Sequence, residues 1–339
     1  MLNFVVLHSL FLALGLWLLP PREAALRAFQ LNGYAQGTTY AITYYAADSA
    51  VTSADVSRKL AEIDASLSLY QSGSLINQFN AAARGVVADR HLKVVVRKAL
   101  QVYQDTDGRF DATVEPLVRA WGFGTQHTEA PPSAAAIQAI LKGVGSEKLH
   151  LRGDSLVKDQ PAVHLDLNGI AQGYTVDVLA ALLESHHIRN YLVELGGEIR
   201  VRGRKFPSRE LMRIGIERPD TSDLPPTSMQ QVIQLEKGGV TTSGNYRKFK
   251  RWGAVKSAHL IDPKTGYPFQ NELISVTVVA PDALTADAYD NALMGMGLAN
   301  ALAFLQRHAS LQAYLIYQRP DGTVADTATP GFQRLLSPE

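Results

Sequence analysis

The sequence predicts an α+β fold, and three features carry that prediction. Strand-like segments come in uninterrupted succession, as at 191–195, 198–203, 211–217 and 230–236. The helical segments stand apart from these clusters instead of alternating with single strands, which argues against a doubly wound parallel sheet. No Gly-x-Gly-x-x-Gly follows a strand, so the mark of a dinucleotide-binding βαβ unit is missing.

The elements follow in chain order. Residues 38–46 (TTYAITYYA) alternate like a strand after Gly37. Residues 54–69 read as a helix capped by Ser53, and 70–80 as a polar loop. A second helix spans 91–105, with Val94, Val95, Ala99, Leu100 and Tyr103 on one face. Pro131 and Pro132 make a break, and Ser133 opens a short helix to Leu141. Strands are expected at 148–152 and 163–167, the latter buried and running through a tight Asn168–Gly169 turn into an amphipathic helix. Asn168 is the expected N-cap, and Ala171, Tyr174, Val178, Leu179 and Leu182 the expected core face. The proline-rich stretch 218–228 reads as a surface loop, with further strands at 257–262, 273–280 and 311–317.

Composition narrows the function classes. The 339 residues, 46% hydrophobic, suffice for a substantial core. Lys and Arg number 33 against 32 Asp and Glu, so no charge surplus offers nucleic acid a footprint. With no cysteine, disulfides, thiolate zinc sites and cysteine nucleophiles are excluded. Residues 4–19 are nearly all apolar and precede Pro20-Pro21-Arg22. At that length they fall short of the roughly 20 residues of a spanning helix and match the apolar core of a secretory signal. Cleavage is expected after Ala25 or Ala28; the alternative is an uncleaved N-terminal anchor. Both place the remainder outside the cytoplasm, dividing the chain into a leader, 1–28, and one domain, 29–339.

Several stretches could carry chemistry. A strand that turns through glycine into a helix aims backbone N–H groups and the positive end of a dipole at one point, which suits a phosphate. Asp166, just before that turn, could serve a metal or a sugar hydroxyl. If 285–297 is helical, Asp287, Asp290 and Asn291 fall at i, i+3 and i+4 on one face. Those oxygens suit Mg²⁺; equally, they suit a helix start with acids set against its dipole. Thr242, Ser243, Gly244 and Asn245 read as a turn of hydroxyls and backbone donors, with Arg247 able to meet a phosphate. His259 near a metal could act as a general base on a hydroxyl, with Asp262 beginning the next turn. Asp111 and Thr113 add polar groups to an apolar run that ends in Trp121 and Phe123, and Tyr70 could stack on a ring or cover a core edge.

Taken together, these stretches resemble one family, the ApbE family of flavin transferases (FAD:protein FMN transferases). The matching strings are QGTTY (36–40), SLYQSGSLINQFN (68–80), GRFDATVEPLVRAWGFG (108–124) and LDLNGIAQGYTVD (165–177). ELGGEIRVRG (194–203), VTTSGNYRKF (240–249), HLIDPKTGYP (259–268) and ADAYDNALMGMG (286–297) follow in the family's order. The resemblance implies two lobes around a central cofactor and Mg²⁺-dependent transfer of FMN from FAD to a threonine or serine hydroxyl of an acceptor protein, releasing AMP. It implies a metal held by Asp287, Asn291 and the Gly169 carbonyl, with Asp290 beside them. It places FAD against Tyr70, Arg109, Phe110, Asp111, Asp166, Gln172 and the Ile261 backbone, with Gln36 at the flavin edge and Thr242, Ser243 and Gly244 in the same set. His259 is the implied base, with Asp262 or a water as substitute. Three positions depart from the common pattern: Asn291 stands for Thr, Gln172 for Lys and Gln36 for Met. The implied acceptor is a subunit of a membrane redox complex carrying covalent FMN, and the implied location is the periplasm or the outer face of the inner membrane. An FAD pyrophosphatase and a non-catalytic periplasmic flavin-binding protein are the competing readings.

Overall fold

The computed structural model describes residues 25–124, 128, 130–219, 229–245, 249–252, 255–258 and 260–337. Strands β1 (Arg27–Ala35) and β2 (Thr38–Ala46) form a hairpin closed by Gln36 and Gly37. Both turn residues have positive φ, 51° and 76°. A two-residue hairpin turn demands this geometry, which costs glycine little and glutamine more. Helix α1 (Ser53–Leu67) starts from a reciprocal cap between Thr52 and Asp55, so the cap lies one residue before the expected Ser53. The expected polar loop contains α2 (Leu75–Ala81), capped by Ser74.

The chain continues through β3 (Gly85–Val87), α3 (Arg90–Asp105), α4 (Glu115–Ala120) and α5 (Ala134–Leu141). The buried face of α3 is Leu92, Val95, Val96, Ala99 and Val102, rotated from the expected one. Next come β4 (Leu149–Arg152), β5 (Ser155–Lys158), α6 (Ala171–Ser185), β6 (Tyr191–Leu195) and β7 (Glu198–Arg202). Then follow β8 (Met212–Glu217), β9 (Met229–Leu235), β10 (Lys237–Gly244), β11 (Phe249–Trp252), β12 (Val255–Ala258) and β13 (Leu273–Ala280). Helices α7 (Ala283–Met296) and α8 (Leu298–Arg307), strands β14 (Gln312–Gln318) and β15 (Val324–Ala328), and α9 (Pro330–Gln333) complete it. Among the described residues no helix is long and apolar enough to cross a membrane.

One eight-stranded sheet, ordered β1-β2-β6-β7-β10-β13-β14-β15, organises the fold. Every pairing in it is antiparallel, in keeping with the α+β expectation. Helices α6 and α7 lie against the sheet, with α1 and α3 packed on them. A second apolar cluster joins sheet residues such as Val201, Val240 and Ile316 to Ile214 and Ile233 of the β8–β9 hairpin.

The expected strand at 163–167 is absent; the segment pairs with no strand. Side chains replace part of the missing partner, and the Asp166 N–H donates to Ala112 O at 2.8 Å. Asn80 accepts from the Leu165 N–H at 2.7 Å and donates to the Leu165 carbonyl at 3.0 Å. The buried Lys158 ammonium donates to Val163 O at 2.8 Å and to Asn80 O and Pro161 O at 3.2 Å each. Nor does Asn168 cap the helix that follows: α6 starts after Ile170 with no side-chain cap of its own. Its core face is also wider than expected, with Val176, Leu179, Ala180 and Leu183 buried and Val178 and Leu182 only partly so.

The cap for α6 comes from α7. Asp287 accepts from the Gly173 N–H at 2.8 Å, while Asp177 of α6 accepts from Ala283 N–H at 3.1 Å and Leu284 N–H at 2.8 Å at the start of α7. Glycine at 173 permits this approach, since a Cβ there would stand 2.4 Å from Ala283 O and 2.6 Å from the Asp287 Cβ. Gly173→Ala is therefore expected to lower unfolding free energy by about 1–3 kcal/mol in chemical denaturation; an unchanged midpoint would show that the helices are not in this contact.

Candidate functional site

The N-terminus of α6, the middle of α7 and the end of β10 meet at a cleft of about 1090 Å³. Gly169, Gln172, Asp287 and Asn291 line it from the two helices, and Thr242, Ser243 and Gly244 from β10. The expected turn at 242–245 is thus the end of a central strand, paired with β13 through Gly244↔Ser275. Gln36, Tyr70, Arg109, Phe110, Asp111, Asp166 and Ile261 complete the walls, so residues far apart in sequence share one space. Phe123 and Phe269 add flat apolar surface, whereas Trp121 is core, buried with its Nε1 donating to Gly266 O at 2.8 Å.

Two expected residues stand apart. Asp290 is 1% exposed and sits behind the wall, facing the hydroxyls of Thr241 and Ser243. Asp262 lies beside the cleft, with Oδ1 accepting from Lys264 N–H at 2.8 Å and Oδ2 at 3.5 Å from Arg109 Nη1. His259 and Arg247 lie outside the described residues.

Several polar groups are already committed. Asp111 takes hydrogen bonds from the backbone N–H and hydroxyl of both Thr113 and Ser146, at 2.6–3.2 Å. Burial pushes its pKa up against those donors, and its carboxylate organises the wall behind Arg109 and Phe110. The Gln36 amide donates to Asp64 at 3.0 Å and to Thr175 at 3.1 Å, tying the hairpin turn to α1 and α6. Three N–H groups opening α6 are likewise engaged: Ile170 and Ala171 donate to Leu167 O, and Gly173 to Asp287. These three do not contribute to the phosphate cradle expected from this turn.

The acidic pair dominates the electrostatics. Burial raises the Asp287 pKa, and the charge of Asp177 raises it further against the Gly173 N–H. Burial raises Asp290 as well, and the charge of Asp287 adds to it. Among the described residues, the leading influences on the two acids are burial, neighbouring carboxylates and neutral donors. Asn291 joins the Asp290 carboxylate to the turn before α6, its amide nitrogen 3.0 Å from Asp290 Oδ1 and 3.1 Å from Gly169 O. The described residues hold no group of three or more Asp, Glu or His side chains arranged for a metal. A cation here would rest on the Asp287 carboxylate with amide and carbonyl oxygens, Asp290 standing behind, an all-oxygen set that fits a hard divalent ion. Two carboxylates that the sequence reading assigned no role also line the cleft, Asp64 and Glu198; the charge of Glu198 bears on Asp290. Only the Gly196–Gly197 turn before Glu198 hinted at a close backbone approach.

Comparison with known proteins places this geometry. The ApbE family model matches residues 36–315. A protein of Vibrio cholerae named FAD:protein FMN transferase is 34% identical over 330 residues, spanning 95% of this chain and 97% of that one. A Haemophilus influenzae protein of the same name is 33% identical, spanning 91% and 92%. Among solved structures, the flavin transferase ApbE from Vibrio cholerae superposes with a TM-score of 0.82 at 33% identity, covering 92% of this chain and all 100% of that one. The apo flavinyl transferase ApbE of Pseudomonas stutzeri gives 0.81 at 32% identity, covering 92% and 97%.

Asp111→Ala is expected to cost about 3 kcal/mol of unfolding free energy, because Thr113 and Ser146 donors lose a charged acceptor in a buried place. Denaturation at the parent midpoint would show that the carboxylate is free to serve the cleft instead.

Proposed function

The chain belongs to the ApbE family, and from that premise we propose that this flavin transferase moves FMN from FAD to a threonine or serine hydroxyl of an acceptor protein, with Mg²⁺, releasing AMP. One observation supports the reading above the rest: segments around 36, 70, 109–111, 166–172, 242–244, 261 and 287–291 all line a single cleft. The two-lobed closure around the cofactor belongs to the same proposal.

Phosphoryl transfer asks a protein chiefly to position groups and neutralise charge. In this reading Phe110 and Phe123 give the rings an apolar seat, Tyr70 covers the mouth, and Gln36 and Gln172 supply neutral polar contacts. Thr242 and Ser243 offer hydroxyls, and the Gly244 and Ile261 backbones fix the wall. Arg109, steadied by Asp262, faces the pyrophosphate. Asp166 sits between sugar and phosphate, and Asp111 holds the Arg109–Phe110 segment. Asp287, Asn291 and the Gly169 carbonyl would hold Mg²⁺, with Asp290 behind them. When bound, that ion would neutralise the pyrophosphate and the departing AMP. His259 takes the proton from the incoming hydroxyl, and Asp262 is the substitute.

The domain 29–339 carries this activity, and 1–28 directs it to the periplasm or anchors it to the outer face of the inner membrane. A cut after Ala25 leaves β1 whole; one after Ala28 removes its first two residues. The acceptor is proposed to be a subunit of a membrane redox complex.

Intact-mass measurement of an acceptor domain incubated with the protein, FAD and Mg²⁺ is expected to show a gain matching FMN that chelation abolishes. Asp287→Ala should slow that gain about 10²–10³-fold. FMN and AMP without an adduct would instead establish a pyrophosphatase, and intact FAD a carrier.

A further inference from the structure

Asn291 sits where three oxygens converge. Its amide nitrogen lies 3.1 Å from Gly169 O, 3.0 Å from the Asp287 carbonyl and 3.0 Å from Asp290 Oδ1, while its Oδ1 accepts from the Ser243 hydroxyl at 2.9 Å. An amide nitrogen carries two hydrogens and a partial positive charge, so a single NH₂ group offsets a loop carbonyl, a helix carbonyl and a buried carboxylate together. It also joins the turn that leads into α6 to the middle of α7.

A hard cation would seek those same oxygens, and the NH₂ group would then face positive charge at contact distance. The amide can relieve this by turning over. Oδ1 then points toward Gly169 and Asp290, and Nδ2 toward Ser243. A serine hydroxyl both donates and accepts, so Ser243 can reverse its role without losing a partner.

We infer that Asn291 is an internal stand-in for the cation: its amide holds the oxygen cluster together in the cation-free protein and turns over when the ion enters. The inference rests on the Mg²⁺ site proposed above. Two consequences follow from the geometry. The site stays assembled without metal, and cation affinity is lowered by the cost of turning the amide. An aspartate at this position would reverse both, since it has no donor for the cluster but adds a charged ligand.

Two measurements on the full-length protein test this without reference to turnover. In the first, the side-chain NH₂ resonances of Asn291, identified by their absence in Asn291→Asp, are followed during MgCl₂ titration alongside calorimetry. They are expected to move in step with the binding isotherm. In the second, Asn291→Asp is expected to melt below the parent without Mg²⁺, to be stabilised more by it, and to bind it about tenfold tighter or more. If calorimetry detects Mg²⁺ binding while the Asn291 resonances stay fixed and the aspartate variant binds no tighter, the inference is overturned and the cation site stands. Should Asn291→Asp fail to fold, Asn291→Ser identifies the parent resonances, which then decide alone. No heat of Mg²⁺ binding to the parent, with or without FAD, would overturn the cation site and this inference with it.

Discussion

Two carboxylates exchanged between neighbouring helices set the geometry of everything around them. Asp287 of α7 closes the N-terminus of α6 through Gly173, and Asp177 of α6 closes the N-terminus of α7 through Ala283 and Leu284. Each acid meets the positive end of the other helix, so the pair of dipoles is satisfied by a pair of charges. The exchange requires close backbones, which Gly173 supplies on one side. Gly239 does the same where β10 passes under α7: a Cβ there would stand 2.2 Å from Ala283 N. Asp287 thereby reaches the cleft with one oxygen already fixed, and the turn at Gly169 lies beside it.

Such a site is expensive in isolation. The two acids are 4% and 1% exposed; burial raises the pKa of both, and the charge of Asp287 raises Asp290 further. The protein answers with neutral donors: the Asn291 amide, the hydroxyls facing Asp290 and the Gly173 N–H. An oxygen-rich centre met by these neutral donors favours an added positive charge. This physical property fits the metal-dependent flavin transfer proposed for the chain.

Much of this was legible in the sequence, where a periodic signal existed to be read. The alternation at 38–46 matches β2, and the 287, 290, 291 spacing placed three oxygen-bearing side chains on one turn of α7. Illegible were the elements whose partners are side chains or whose residues mimic turns. A segment held by Asn80 and Lys158 has the apolar pattern of a strand but no ladder. The run Gly238 to Gly244 has the glycines and hydroxyls of a loop, yet lies inside the sheet because small residues let α7 pack against it. Periodicity cannot reveal that Thr113 and Ser146 donate to Asp111. Nor could it reveal that α6 borrows its cap from a residue more than a hundred positions away.

The most direct test of the account is a crystal structure of the full-length protein grown with FAD and Mn²⁺ in place of Mg²⁺, with anomalous data at the manganese edge. The account predicts a single strong peak between Gly169 O, Asp287 and Asn291, with the FAD pyrophosphate against it in the cleft. A peak elsewhere, or FAD bound outside this cleft, would contradict it.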